Sequence, residues 1–303
     1  MRKLRIDAEQ AGQRIDNFLR RMLPGVPKGR IYRILRKGEV RVNGGRVKAE
    51  YRLLEDDEVR IPPVVVREEP VPPPAAAVQD IESRILYEDQ RLLVVDKPSG
   101  VAVHGGSGVN HGVIERLRIA RPACKDLSLA HRLDRETSGC LVLTKRRSAL
   151  RRLHAQFRES QVEKNYFALV TGDWQHGDVV IDQPLLVNHR QGGERHVVVS
   201  PDGKPARTRV RLSRRFSGCC LVQCVPETGR THQIRVHLAH AGHPIVGDVR
   251  YGNAATNREF AKRGMNRLFL HAQSIAFPDD GGNERLFTAP MPESLVNFMN
   301  QAL

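Results

Sequence analysis

Four charged residues, Arg132, Asp134, Arg135 and Glu136, stand together in the segment His131-Arg-Leu-Asp-Arg-Glu-Thr-Ser-Gly. Apolar runs flank it, Leu127-Ser-Leu-Ala before and Cys140-Leu-Val-Leu-Thr after, so the charges occupy a turn between two expected strands. On an exposed loop the four would simply pair among themselves. An Asp flanked by arginines, however, stays ionised because nearby positive charge favours the carboxylate. Asp134 is therefore available as a nucleophile.

A second constellation runs from Glu227-Thr-Gly-Arg-Thr-His-Gln-Ile-Arg to Val-His-Leu-Ala-His-Ala-Gly-His-Pro244. Thr231 is expected to cap a helix that carries Ile234, Leu238 and Ala241 on one face and ends at Gly242. The pattern leaves the direction of Arg235 open. His232, His237, His240 and His243 raise a metal-site alternative, but no carboxylate accompanies them before Asp248, and the cationic neighbours oppose a cation. The third segment, Lys164-Asn-Tyr-Phe-Ala-Leu-Val, is apolar on both faces and predicts a central strand. Tyr166 on it is either a core residue or a ring that stacks on a flipped base while its hydroxyl reaches a sugar or ring proton.

These segments must be held by a sizeable scaffold, and 303 residues suffice for a large domain and a small one without disulfide or metal staples. Residues 62–80 contain six prolines and predict a linker that sustains neither helix nor sheet. The expected division is a small module over 1–61, the linker over 62–80, and a large domain over 81–303. Strand signals such as Leu92–Val95, ending at the Lys97-Pro-Ser-Gly turn, and helices near 148–159 and 231–241 indicate an α+β domain on a mainly antiparallel mixed β-sheet. The five cysteines, odd in number and inside apolar or mixed segments, suit buried thiols. Cys219, Cys220 and Cys224 invite a zinc reading, but their segment reads as a core strand and no further ligand pair lies nearby, so no metal is expected.

In the small module, Ile15, Phe18, Leu19 and Met22 define an amphipathic helix from about Gln13 that stops by Pro24. A second helix over Lys28–Lys37 places Ile31, Ile34 and Leu35 on one face and Arg30, Arg33, Arg36 and Lys37 on another. Glu39–Lys48 predicts a hairpin turning at Asn43-Gly44, and Asp57–Ile61 a further strand. The cationic helix face carries no interleaved acids, so phosphates are its natural counter-charge. The whole chain, with 49 Lys+Arg against 34 Asp+Glu and a formal charge of +15, points the same way, toward nucleic acid. Neither a membrane span nor a signal-peptide core is evident, and the expected compartment is the cytoplasm.

Ala11-Gly-Gln-Arg-Ile-Asp-Asn-Phe-Leu through Val42-Asn-Gly-Gly-Arg-Val-Lys resembles the S4 RNA-binding module, which implies contacts to structured RNA from Arg14, Lys28, Arg30, Arg33, Arg36, Lys37 and Arg41. The Asp-Lys-Pro-Ser-Gly strand end, His-Arg-Leu-Asp-Arg-Glu-Thr-Ser-Gly, Lys-Asn-Tyr-Phe-Ala-Leu-Val and Gly-Arg-Thr-His-Gln-Ile-Arg-Val-His resemble, in order, the motifs of the RluA-type pseudouridine synthases. Gly38-Glu-Val-Arg-Val-Asn, Val103-His-Gly-Gly-Ser-Gly and Asn266-Arg-Leu-Phe-Leu-His-Ala are similar to the RluC branch, which acts on large-subunit (23S) ribosomal RNA.

The resemblance implies the pseudouridine synthase fold and roles for individual residues. Asp134 would be the essential aspartate, Arg132 the residue filling the space of the flipped nucleotide, Tyr166 the active-site tyrosine, and Arg235 the ion-pair partner of Asp134. Lys97 and Pro98 would support the site from beneath. The implied reaction breaks the C1′–N1 bond of uridine and rejoins the turned uracil through C5. Atoms and electrons balance without a cofactor. Attack at C6, attack at C1′ and a glycal route all remain open. A nucleic-acid glycosylase and a non-catalytic ribosome-assembly factor are the rival readings. The expected partner is ribosomal RNA, with no membrane or metal, and the chain is expected to be a monomer.

Overall fold

The computed structural model describes residues 2–64, 72–105, 111–189 and 195–301. It divides into two compact units, Met1–Pro72 and Pro73–Leu303. The central part of the segment expected as a linker, residues 65–71, and residues 106–110, which include the last three of the Val103-His-Gly-Gly-Ser-Gly segment, lie outside the described residues.

The first unit comprises β1 (Arg2–Arg5), α1 (Ile15–Met22), α2 (Lys28–Arg36), β2 (Arg41–Val42) and β3 (Glu58–Ile61). Its sheet has the order β1-β3-β2, antiparallel throughout. The apolar stripes of both helices are buried as their spacing requires: Ile15, Phe18 and Leu19 from α1, and Ile31, Ile34 and Leu35 from α2, meet Val40, Val42, Val59 and Ile61. The expected Glu39–Lys48 hairpin is much shorter than its sequence suggests. Asn43 and Gly44 do take left-handed conformations, φ 49° and 77°, but only Val42 and Gly45 exchange backbone hydrogen bonds beyond them. The side chain of Asn43 explains the difference. It donates to Asp57 Oδ1 and accepts from the Glu58 amide, which delivers β3, not the returning arm, to the edge of β2.

The second unit comprises α3 (Ala75–Glu82), β4 (Ile85–Glu88), β5 (Leu92–Lys97), α4 (Val113–Ala120), β6 (Ser128–Leu129), β7 (Ser138–Thr144), α5 (Arg147–Arg158) and β8 (Glu163–Thr171). Then follow β9 (Val179–Asp182), β10 (Leu185–His189), β11 (Arg195–Val199), β12 (Arg207–Phe216), β13 (Cys219–Pro226), α6 (Gln233–His240), α7 (Ala254–Lys262), β14 (Leu270–Pro278), β15 (Glu284–Thr288) and α8 (Glu293–Gln301). Helix α3 corrects the expectation of an unstructured 62–80 segment. Pro74 sits at its N-cap, where a missing amide is no loss, and Ala75-Ala-Ala is a strong helix-forming run. Ile81 anchors it to the core.

The main sheet runs β4-β5-β7-β14-β8-β13-β12-β9, with β15 on β14 and β6 on β7. Every pairing is antiparallel except β7 with β14, whose register is His271 to Ser138 and Ala272 to Gly139. This matches the mainly antiparallel mixed sheet expected from the strand pattern. Gly139 permits the close approach, since a Cβ there would strike the Ala272 backbone. β7 is buried along its whole length: Leu141 and Leu143 face Val113, Ile114 and Leu117 of α4, while Cys140 and Val142 face Leu150 and Leu153 of α5. β8 lies between β14 and β13, as a strand apolar on both faces should. Cys219, Cys220 and Cys224 are buried free thiols on β13.

Candidate active site

The charged turn of residues 131–137 joins β6 to β7 and forms one wall of a cleft of about 490 Å³. That volume lies within the roughly 300–1,000 Å³ typical of small-molecule sites. Arg132, Asp134, Tyr166 and Arg235 all line it. Three segments far apart in sequence thus converge on one space.

The turn is held from below. Lys97, fully buried at the end of β5, donates from Nζ to the carbonyls of Pro98 (2.9 Å), Val101 (2.8 Å) and Arg135 (3.0 Å). Ser99 Oγ donates to the Glu136 carbonyl at 2.7 Å, and the Gly100 amide to the Arg135 carbonyl at 2.9 Å. Burial pulls the Lys97 pKa down to about 7, against the opposing pull of Glu136 and Asp134. Lys97 is thus the brace that ties the β5 end to the turn carrying Asp134.

Arg235, in the first turn of α6, points into the core and is nearly inaccessible. Its Nε and Nη2 donate to Asp248 Oδ2 (2.7 Å) and Oδ1 (2.8 Å), and its Nη1 to Asp134 Oδ2 at 3.3 Å. A bidentate pair of this kind fixes the plane of the guanidinium. Burial works against both ions, but the Arg235 hydrogen bonds hold the Asp248 carboxyl below its ordinary range and Asp248 raises the Arg235 pKa. The guanidinium carbon also lies 5.1 Å over the ring of Tyr251.

Tyr166 enters from β8, paired with Ala272 on one side and Cys224 on the other. Burial raises its pKa and the Asp134 charge adds to the effect, so the phenol stays protonated. Arg132 is exposed at the cleft. His131 accepts the Val142 amide hydrogen bond at Nε2, 3.0 Å, and burial pushes its pKa down to about 4, which keeps the ring neutral.

Helix α6 does not begin as the sequence suggested. The N-cap is His232, at φ 55°, with no side-chain cap, and Thr231 does not fill that role. Gln233 organises the start instead. Its Oε1 accepts from Thr228 Oγ1 (2.6 Å) and the Arg230 amide (3.0 Å), while its Nε2 donates to Arg207 O and Thr208 Oγ1. The residues that sequence reasoning overlooked are Asp248 and Tyr251. A buried arginine demands a carboxylate, but nothing in the spacing singles out one thirteen residues further on.

In the first unit, Lys28, Arg30, Arg33, Arg36 and Lys37 are exposed. The Lys28 ammonium lies 5.5 Å over the Tyr32 ring. Arg14 and Arg41 are engaged within the module. Arg14 makes a two-point pair with buried Asp16, 3.1 and 2.8 Å, and Arg41 donates to the carbonyls of Gly38 (2.9 Å) and Gly44 (3.3 Å). Among the described residues no cluster of His, Cys, Asp or Glu has the makings of a metal site, and no helix is long and apolar enough to cross a membrane.

Comparison with known proteins places this geometry in context. Residues 91–240 match the family described as RNA pseudouridylate synthase, and residues 13–59 match the S4 domain. Ribosomal large subunit pseudouridine synthase C of Escherichia coli is 55% identical over 302 residues, covering 98% of this chain and 95% of that protein. Human RNA pseudouridylate synthase domain containing 4 superposes with a TM-score of 0.62 at 26% identity, over 74% of this chain and 95% of that one. Its relative, domain containing 1, gives 0.60 at 28% identity, over 74% and 89%.

Proposed function

The chain belongs to the RNA pseudouridylate synthase family, and on that premise we propose that it isomerises specific uridines of large-subunit (23S) ribosomal RNA to pseudouridine. The observation that carries this reading is the Asp134 carboxylate on the cleft wall, 3.3 Å from a guanidinium that Asp248 already holds by two hydrogen bonds. A guanidinium fixed in this way aims the Asp134 carboxylate without consuming its reactivity.

Asp134 acts as the nucleophile on an extruded uridine. Arg132, exposed at the cleft, occupies the place that the flipped nucleotide vacates. Tyr166 stacks on the uracil, and its protonated hydroxyl manages the proton transferred when C5 replaces N1. Attack at C6, attack at C1′ and the glycal route each begin from the same Asp134 side chain. Water must be kept from the intermediate, since its hydrolysis would leave an abasic site. The S4 module grips structured RNA through Lys28, Arg30, Arg33, Arg36 and Lys37, with Arg14 and Arg41 bracing that surface. The reaction needs no cofactor, and the chain works as a monomer in the cytoplasm.

The test replaces Asp134 with Asn in a strain whose only copy is the variant and maps pseudouridine across the large-subunit RNA. Loss of specific sites is expected, by about 10²–10⁴-fold in rate at the least. Unchanged modification would remove Asp134 from the mechanism. Release of free uracil by the wild-type protein would point to a glycosylase instead.

A further inference from the structure

His232 adopts φ 55°, a left-handed conformation that a non-glycine residue takes only under constraint. Its side chain is only 12% exposed and lies between two partners. Nδ1 is 2.7 Å from the Tyr251 hydroxyl, and Nε2 is 3.9 Å from Asp134 Oδ2. The Tyr251 oxygen already accepts the Val197 amide hydrogen at 3.1 Å. Hydrogen-bond accounting then decides the tautomer. Were the proton on Nδ1, the Tyr251 oxygen would receive two donors and its own O–H would have no acceptor among the described residues. A half-buried hydroxyl proton left unused forfeits a hydrogen bond that water made in the unfolded chain. With Nδ1 bare, Tyr251 donates to it, and the Nε2–H faces Asp134 Oδ2 at 3.9 Å.

We propose that Tyr251 is a positioning residue that fixes His232 as its Nε2–H tautomer, and that His232 thereby presents a second N–H donor, beside Arg235, to the Asp134 carboxylate. The inference rests on Asp134 being the reactive group. One aromatic side chain then orients both donors, with its face against the Arg235 guanidinium at 5.1 Å and its hydroxyl on His232. Both contacts converge on Oδ2 of Asp134, which leaves Oδ1 as the oxygen that reacts. At 3.9 Å the His232 contact is longer than a hydrogen bond, and it tightens when the nucleotide enters, as catalytic contacts commonly do. The charged groups around the ring are Asp134 and Asp248 on one side of the balance and Arg235 and Arg250 on the other. Burial dominates and lowers the His232 pKa to about 4, so the donor is neutral and does not transfer its proton to the carboxylate near pH 7.

The tautomer can be read directly in the full-length, uniformly ¹⁵N-labelled protein by long-range ¹H–¹⁵N correlation of the imidazoles at pH 7.5, with the His232→Gln spectrum identifying the signals among the 12 histidines. The expected pattern is a protonated Nε2 and a bare Nδ1, shifting toward the Nδ1–H form in Tyr251→Phe. A protonated Nδ1 in the wild type, or an unaltered tautomer in Tyr251→Phe, overturns the proposal. This readout needs no substrate, so it stands or falls apart from the assigned reaction.

A pair of variants separates positioning from folding. Asn tolerates a left-handed backbone but cannot reach Asp134 as Nε2 does, so His232→Asn should melt no lower than wild type while single-turnover isomerisation at saturating RNA slows about 10- to 100-fold. His232→Gln, whose amide nitrogen reaches the Nε2 position, should recover most of that rate. Wild-type turnover by His232→Asn would show that His232 gives Asp134 nothing.

Discussion

The Arg235 guanidinium turns two of its nitrogens to Asp248 and the remaining one to Asp134. Asp248 is 1% exposed and Asp134 lines the cleft, so one cation joins a structural carboxylate to a reactive one.

Removing the structural partner should therefore damage both fold and rate. Asp248→Ala strips the buried guanidinium of its two-point partner and leaves it only the 3.3 Å contact to Asp134, which destabilises by about 3 kcal/mol. Urea unfolding would measure this. Asp248→Asn should lose less stability, and because Arg235 is no longer clamped, its single-turnover rate should fall about 10²-fold, the order expected of a misplacement near 1 Å. A full rate in Asp248→Asn would mean that the clamp is irrelevant to Asp134.

Tyr166 offers a cleaner separation of binding from chemistry. Tyr166→Phe keeps the ring and loses only the hydroxyl, so RNA affinity should be nearly unchanged while the isomerisation rate drops about 10²-fold or more. An unchanged rate in Tyr166→Phe would assign the residue to stacking alone.

The exposed cations of α2 should appear in the ionic-strength dependence of binding. Neutralising Arg33, Arg36 and Lys37 to Gln removes three phosphate contacts, and the slope of log affinity against log salt should become shallower by about 2–3. Filter binding between low and moderate salt measures this. An unchanged slope would make this face a solubilising surface.

His271 on β14 predicts an acid limit to stability. It is fully buried, its Nε2 donates to the Ala289 carbonyl at 3.2 Å, and Nδ1 lies 3.0 Å from Ser138 Oγ. Burial lowers its pKa from 6.5 to about 4. The unfolded chain therefore takes up a proton below pH 6.5 that the folded chain refuses until about pH 4. Stability is complete above the first value and declines as pH falls toward the second. His271→Gln does not titrate, so its urea midpoint should lose less than that of the wild type between pH 7 and 5. Parallel curves for the two proteins would exclude His271 from the acid transition.

How far the sequence reached depended on the contrast each segment offered. The turn bearing Asp134 and the strand bearing Tyr166 were legible because apolar runs bracket or fill them and set their places in the sheet. The inward direction of Arg235 was not, since Gln233–Leu238 are all buried and a helix without a polar face has no readable orientation. Prolines at 70 and 72–74 concealed α3, although the alanines after them are strong helix formers. The side chain of Asn43 redirected a hairpin whose turn residues were correctly placed. Gln233 displaced Thr231 as organiser of α6 through contacts reaching back to β12, which no local capping rule contains.

Between β7 and β14 the sheet ladder holds by just two register positions, and the proposed catalytic groups come from opposite sides of it: Asp134 precedes β7, whereas Tyr166 and Arg235 belong to the β8 side. Were those two pairings to part, each half would retain its own strands, yet the carboxylate and its guanidinium would be separated. Mild denaturant should accordingly silence the protein before far-ultraviolet circular dichroism registers any loss of strand, a local opening that precedes the global one.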